Sequence, residues 1–460
     1  MFAQNETKPP PDMKTIDPQW AWSPYQPDTR RPWNLARAGH LYRRAAFGAD
    51  WNQLQRTLDE GPRRTIERLL APQADVAAFN QQFDRYETSS AASNSTDALR
   101  PWWLMRMMQS PHPLLEKMTL FWHGHFALSG AKVKNTRLMS RYVQQLRGEA
   151  LGRFDSMLTA LSHDPAVLLD RDAGANRKSK PCEHAPRELM AGTCLGNGNF
   201  SEKDIQEAAR AFTGWFVLKG QVRFIPREYD SDAKQILGER GNFNDTDVVR
   251  LLLKQPATPR LLVRKLYRLL ISETDEPSDA IVEPLAQSFA AEYDIAALVG
   301  LMLRSNLFFS PVAYRRRIKS PVEFTLGIVK GLEATVPAVR LGRDLADLGQ
   351  NLYEPPTSAG WPGGRHWINP ATSLARANLA FALLSPKKPY EGKLDPMAVA
   401  QKHGHQTGEA AERFLLDLFL QGDVETTVRE AVLKHKRSEP SQELRRTAHI
   451  IVSLPEFQLA

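Results

Sequence analysis

Two cysteines, Cys182 and Cys194, in 460 residues cannot build a disulfide framework or a four-sulfur zinc site. Buried free thiols are the expected state, although their twelve-residue separation leaves a single bridge open to an exported chain. No run of about 18 consecutive apolar residues occurs, which excludes a membrane-spanning helix. Glycine (27) and proline (32) are too sparse for a low-complexity chain, so most of it should fold. P-loop, GxGxxG, HExxH and nucleophile-elbow patterns are all missing, and no cofactor or metal is expected.

Charge of one sign is also scarce. Lys plus Arg (60) against Asp plus Glu (52) leaves +8, spread in short groups such as Arg43-Arg44, Arg63-Arg64, Arg315-Arg316-Arg317 and Arg445-Arg446. Without a basic–aromatic platform on which bases could stack, nucleic-acid binding is not expected. The first 32 residues are rich in proline and polar residues and lack the charged start and apolar stretch of a signal peptide. That fits a cytoplasmic chain or one whose signal has been removed.

What is present is helical periodicity. Apolar residues recur three and four apart over Trp33 to Phe47, Trp51 to Leu70, Arg100 to Gln109 and Leu114 to Leu128. Thr258 to Ile271, Pro321 to Leu332, Thr372 to Leu384, Gly408 to Leu420, Val424 to Lys436 and Ser441 to Leu454 behave alike. Period-two alternation is nearly absent, with Trp215 to Ile225, turning at Lys219-Gly220, as the best hairpin. The pattern predicts an all-α fold with a minor β element. Length alone would suggest two or three domains.

Three stretches carry polar residues in unusual places. In Leu114-Leu-Glu-Lys-Met-Thr-Leu-Phe-Trp-His-Gly-His-Phe126, about 100° per residue puts His125 within about 20° of Leu114 and His123 on the opposite face. The two histidines therefore should not chelate one metal, and His125 should face inward with a hydrogen-bond partner. In Cys182-Glu-His-Ala-Pro-Arg-Glu-Leu-Met190, Glu183, His184, Arg187 and Glu188 crowd a helix entrance opened by Pro186. Capping plus an ion pair, or a carboxylate and histidine sharing protons, would both account for them. Ser201-Glu-Lys-Asp204 is a capping box. Glu207 and Arg210 follow on its polar side, with Asp230, Asp232 and Lys234 after the hairpin. The irregular stretches Asp170 to Glu183 and Tyr353 to Pro370 are long enough to carry function.

His40-Leu-Tyr-Arg-Arg-Ala-Ala-Phe-Gly48, Leu120-Phe-Trp-His-Gly-His-Phe126, Arg187-Glu-Leu-Met190, Ser201-Glu-Lys-Asp204, Ala209-Arg-Ala-Phe-Thr-Gly-Trp215 and Asn351-Leu-Tyr-Glu-Pro-Pro356 with Gly360-Trp361 follow one another in order. Together they resemble the bacterial "domain of unknown function 1800" family from about residue 34 to the C-terminus. The resemblance implies one helical domain, residues 33–460, behind a Pro-rich tail of 1–32. It also implies a periplasmic or extracellular setting, and a partner similar to sulfatases from the neighbouring "domain of unknown function 1501" family. Two departures stand out. Cys182-Glu-His-Ala-Pro-Arg-Glu188 replaces the family's Asn-Glu-Asn-Tyr-Ala-Arg-Glu, and Tyr229-Asp230 replaces its His-Asp. If the family's His is catalytic, these departures imply either an altered or lost activity in this chain or an imidazole supplied by His184 from a new position.

Carboxylates beside histidine and arginine suit acid–base work on a polar or anionic substrate such as a glycan or a phosphorylated or sulfated compound. On this reading Glu183 or Glu188 is the base, joined by His125, His184 and Asp230 as catalytic candidates. His40, Arg43, Arg44, Arg187, Glu207, Arg210, Trp215 and Lys234 bind substrate, and all converge on one cleft. The competing expectation is a non-catalytic helical adaptor of the sulfatase-like neighbour, with the same charges in a buried network. A metal site of His125, Glu183 and His184 is least favoured.

Overall fold

A computed structural model describes residues 15–71, 75–93, 95–433 and 440–460. Among them the chain forms 24 α-helices and two two-stranded antiparallel hairpins, so it is all-α with minor β hairpins. No helix among the described residues is long and apolar enough to cross a membrane. Residues 1–14 of the Pro-rich segment, and 434–436 of the helix expected over Val424 to Lys436, lie outside the described residues. Both cysteines are free thiols.

Local chemistry sets the ends of these elements. Asp204 N–H donates to Ser201 Oγ at 3.2 Å and Ser201 N–H donates to Asp204 Oδ2 at 2.8 Å, which closes the box that opens Glu202–Ala211. Strands β1 (Trp215–Leu218) and β2 (Gln221–Phe224) meet at Lys219 (φ 51°) and Gly220 (φ 75°). Positive φ at both turn residues matches the right-handed strand twist. A second hairpin, β3 (Lys234–Ile236) and β4 (Glu239–Gly241), turns the same way at Leu237 and Gly238. Three-residue strands are too short to leave a readable alternation. The helix Val76–Ala91 also escaped the periodic reading, because it buries only Phe83, Ser90 and Ala91.

The described part of the N-terminal segment is not a free tail. Trp22 Nε1 donates to the Ile281 carbonyl at 2.8 Å, and Asn306 and Leu307 N–H groups donate to Ser23 and Ala21 carbonyls. Ala21 and Tyr25 join a contiguous apolar core that continues to Phe457.

At the centre of that core lies Pro113–Phe126, a helix buried on nearly all its faces. Such a helix can carry charge only where partners are supplied. Glu116, 0% exposed, accepts from Arg106 Nε at 3.0 Å, from Arg147 Nε at 3.0 Å and from Trp103 Nε1 at 3.3 Å. Lys117, 2% exposed, donates to Glu323 and to the Ala46 carbonyl at 2.9 Å. Arg317 also pairs with Glu323, which closes a capping box with Ser320 at the start of Pro321–Gly331.

Burial alone would raise both carboxyls. The facing cations outweigh it, Arg147 and Arg106 at Glu116 and Arg317 and Lys117 at Glu323, and hold both below the ordinary carboxylate range. Their stabilisation is complete above the unfolded carboxylate pKa and is lost as acid protonates them in the fold. Glu116→Gln and Glu323→Gln should each cost about 3–5 kcal/mol in urea unfolding at pH 7, because cations stay buried without a counter-charge. Glu409→Gln, in the exposed pair with Arg413, should change stability by less than about 0.5 kcal/mol. Equal effects of the three would contradict the buried-pair account.

Candidate functional site

The residues singled out in the sequence do not share one cleft. They close locally into separate networks. His40 Nε2 bonds the Phe308 carbonyl at 2.9 Å, and Arg44 donates to the Ile271 and Ala313 carbonyls at 2.9 and 2.6 Å. Arg43, on the same Leu35–Ala45 helix, donates to Gln421. Arg187 pairs at the surface with Glu202 at 2.7 Å and Glu183 at 3.5 Å. His184 stands 3.0 Å from Asp172 and 3.9 Å from Glu188, whose other oxygen is 3.3 Å from Arg171. The adjoining pocket, about 50 Å³, has room for only a few waters.

Arg210 binds Glu207 at 2.9 Å and Asp230 at 2.8 Å, while Lys234 donates to the Asp230 and Asp232 carbonyls. The Gln235 N–H completes Glu207, so this network fastens β3 to Glu202–Ala211. Trp215 packs its ring 4.6 Å from His163 and 5.0 Å from Phe224. Helix entrances and hairpin edges have backbone groups and charges to satisfy, and most of these side chains satisfy them.

His125 is the exception, because it lines a cleft of about 380 Å³. The cleft lies between Pro113–Phe126, the helix Ala257–Leu270, the 317–323 segment and the loop after Tyr353. As the helical spacing predicts, His123 and His125 point to opposite sides. His123 sits among the rings of Trp103, Tyr142, Tyr353 and Trp361, with centroids 5.3 to 6.0 Å away. Neither of its ring nitrogens has a partner, and burial pushes its pKa down to about 3. It acts as an aromatic peg. Two residues later on the helix, His125 reaches the cleft, while Trp361, which packs against His123, folds over from the loop.

That loop is held by close backbone approach. Gly360 has φ 82°, and a Cβ there would run into the Gly124 carbonyl. At Gly124 itself a Cβ would meet the Trp361 ring at an ordinary 3.6 Å. Glu273 ties the far end, accepting from Gly364 N–H at 3.3 Å and from Ile318 N–H at 3.2 Å.

The electrostatics of the cleft are cationic. Lys117, Lys265, Arg268 and Arg317 line it against Glu273 and Glu323. Lys117 and Arg317 share Glu323, and Glu273 is engaged by backbone. Lys265 donates to His125 Nδ1 at 3.0 Å and to the Gly192 carbonyl at 2.8 Å, and neither it nor Arg268 pairs with a carboxylate among the described residues. Burial lowers Lys265 to about 8, with Arg268 adding to the shift and Cys194 opposing it. Burial and the Lys265 ammonium hold His125 well below its ordinary range, against the pull of the Thr193 carbonyl.

With Nδ1 accepting from Lys265, the neutral imidazole carries its proton on Nε2. That nitrogen, Trp361 Nε1 and Arg317 Nε are all buried without a hydrogen-bond partner among the described residues. Three orphaned donors beside two cations without a carboxylate can bind an acceptor-rich anion and stabilise charge that develops on it.

Lys117, Lys265, Arg268, Glu273, Arg317 and Glu323 were not read as site residues from the sequence. Lys265 and Arg268 resemble solvent-facing cations on an amphipathic helix. A usable signal did exist at Glu116-Lys117, two charges inside an otherwise apolar helix. Gly360→Ala should loosen the loop around the exposed Arg365 and speed tryptic cleavage there at least tenfold, whereas Gly124→Ala should leave the rate unchanged. Equal rates in the two variants would contradict the packing described.

A family model described as "Protein of unknown function (DUF1800)" matches residues 40–459, nearly the whole chain. No curated protein and no solved structure matches. By that match the chain belongs to the DUF1800 family.

Proposed function

We propose that the cleft binds an anionic, oxygen-rich substrate, a phosphorylated or sulfated compound or an acidic glycan, and carries out acid–base chemistry on it. The observation that carries this reading is the set of buried, unpartnered donors on His125, Trp361 and Arg317 beside the uncompensated charges of Lys265 and Arg268. Arg268 at the exposed rim and Lys265 deeper inside hold the anion. His125 Nε2–H donates to an oxygen on which charge builds. Lys265, with its pKa brought down to about 8, is tuned to give a proton to a leaving oxygen near neutral pH. Glu183 and Glu188, engaged with Arg187 and Arg171, are outside this assignment.

A second reading, an adaptor for a sulfatase-like protein, draws support from Leu374 and Phe381. They are 63% and 64% exposed and two turns apart on Pro370–Leu384. The cleft reading accounts for more, because a docking helix leaves the orphaned donors unexplained.

Sulfate, which stays dianionic across the range, is the cleanest probe. Calorimetric titration should show binding that is strong below pH 8 and falls above it as Lys265 loses its proton. Lys265→Arg should flatten that dependence. Combined Lys265→Ala and Arg268→Ala should weaken binding at least tenfold, since each charge-assisted bond is worth about 1.5–3 kcal/mol. Unchanged affinity in the double variant would refute the assignment. Turnover of 4-nitrophenyl phosphate or sulfate that persists in that variant would refute the catalytic role.

A further inference from the structure

We propose that a small pocket beneath the Leu35–Ala45 helix is a binding site for one monatomic anion, chloride in ordinary salt, separate from the cleft. The pocket measures about 30 Å³ and its lining includes Gly39, Arg43, Gly327, Gln421, Lys319 and Phe457. By volume it holds one or two waters, and a halide is only slightly larger than water.

Two buried cations face this space without a counter-charge of their own. Arg43, 7% exposed, spends Nη1 on Gln421 and lies 5.3 Å from the centre of the Tyr314 ring, while its buried Nε and Nη2 have no hydrogen-bond partner among the described residues. Lys319, 4% exposed, rests its ammonium 3.6 Å from the centre of the Phe457 ring and forms no ion pair among the described residues. The ring quadrupole offsets only part of the cost of removing an ammonium from water.

The nearby carboxylates are committed elsewhere. Glu323 serves Lys117 and Arg317, and Asp423 lies 3.5 Å from Arg315. Burial and the neighbouring Arg43 push Lys319 well below its ordinary range, which is the direction a bound anion would reverse. Two walls pack closely: a Cβ at Gly39 would collide with the Gln421 side chain, and a Cβ at Gly48 would lie 3.1 Å from Gly327 Cα. A halide here completes the guanidinium fork and gives the ammonium its counter-ion.

Two measurements on the full chain test this. Crystals soaked in bromide should show an anomalous peak between the Arg43 guanidinium and the Lys319 ammonium. Water alone at that position in saturating bromide would overturn the proposal. In solution, chloride should raise Tm saturably by about 2 °C or more over gluconate at matched ionic strength.

Lys319→Met, an apolar replacement of similar length, should remain folded and lose that dependence. The Lys265→Ala, Arg268→Ala cleft variant should keep it, which separates this site from the proposed sulfate site. No chloride dependence in the parent chain, or the same dependence in Lys319→Met, would also overturn the proposal.

Discussion

The fold is organised around one constraint: the helix that forms its centre is buried on nearly all its faces yet carries Glu116 and Lys117 side by side. Each charge must find its opposite inside the protein, since neither can reach water. Glu116 draws in Arg106 and Arg147, and Lys117 reaches across to Glu323. Through these bonds the helix fixes segments far apart in the chain. The Lys117–Glu323 contact alone spans 206 positions. Glu323 then recruits Arg317, so the segment that walls the cleft is positioned by the same carboxylate that neutralises the central helix.

This arrangement explains why the cleft is cationic. The carboxylates available at its wall are already occupied, Glu323 by two cations and Glu273 by backbone N–H groups that secure the loop. Lys265 and Arg268 therefore arrive from Ala257–Leu270 with no carboxylate to pair with among the described residues. The His-Gly-His stretch divides its labour around a glycine. His123 packs against Trp361 and Tyr353 on one side, the Gly124 backbone takes the close approach of Gly360, and His125 lines the cleft. One short motif thus builds both the roof of the cleft and one of its buried donors.

Much of this was legible in the sequence, where local geometry governed. The opposite faces of His123 and His125 follow from 100° per residue, the hairpin turn from Lys219-Gly220, and the capping box from Ser201 and Asp204. What could not be read were bonds between distant segments. The Lys265–His125 contact joins residues 140 positions apart, and nothing about Lys265 among its neighbours distinguishes it from a surface lysine.

The same limit applies to Glu183, Arg187, Glu207, Arg210 and Asp230, which the structure places in local ion-pair networks. Charges cluster at helix entrances because caps and ion pairs need them there. In sequence such a cluster looks the same whether its members face a substrate or one another. The buried pair at Glu116-Lys117 was the better clue, because an apolar helix cannot carry charge without a partner.

The central claim is that the orphaned donors of the cleft are aimed at an anion. A crystal of the full chain soaked in selenate, located by anomalous scattering, tests it most directly. The account predicts a selenate with oxygens within hydrogen-bond distance of His125 Nε2, Lys265 Nζ and Trp361 Nε1. Selenate bound elsewhere on the surface, with the cleft holding only water, would contradict it.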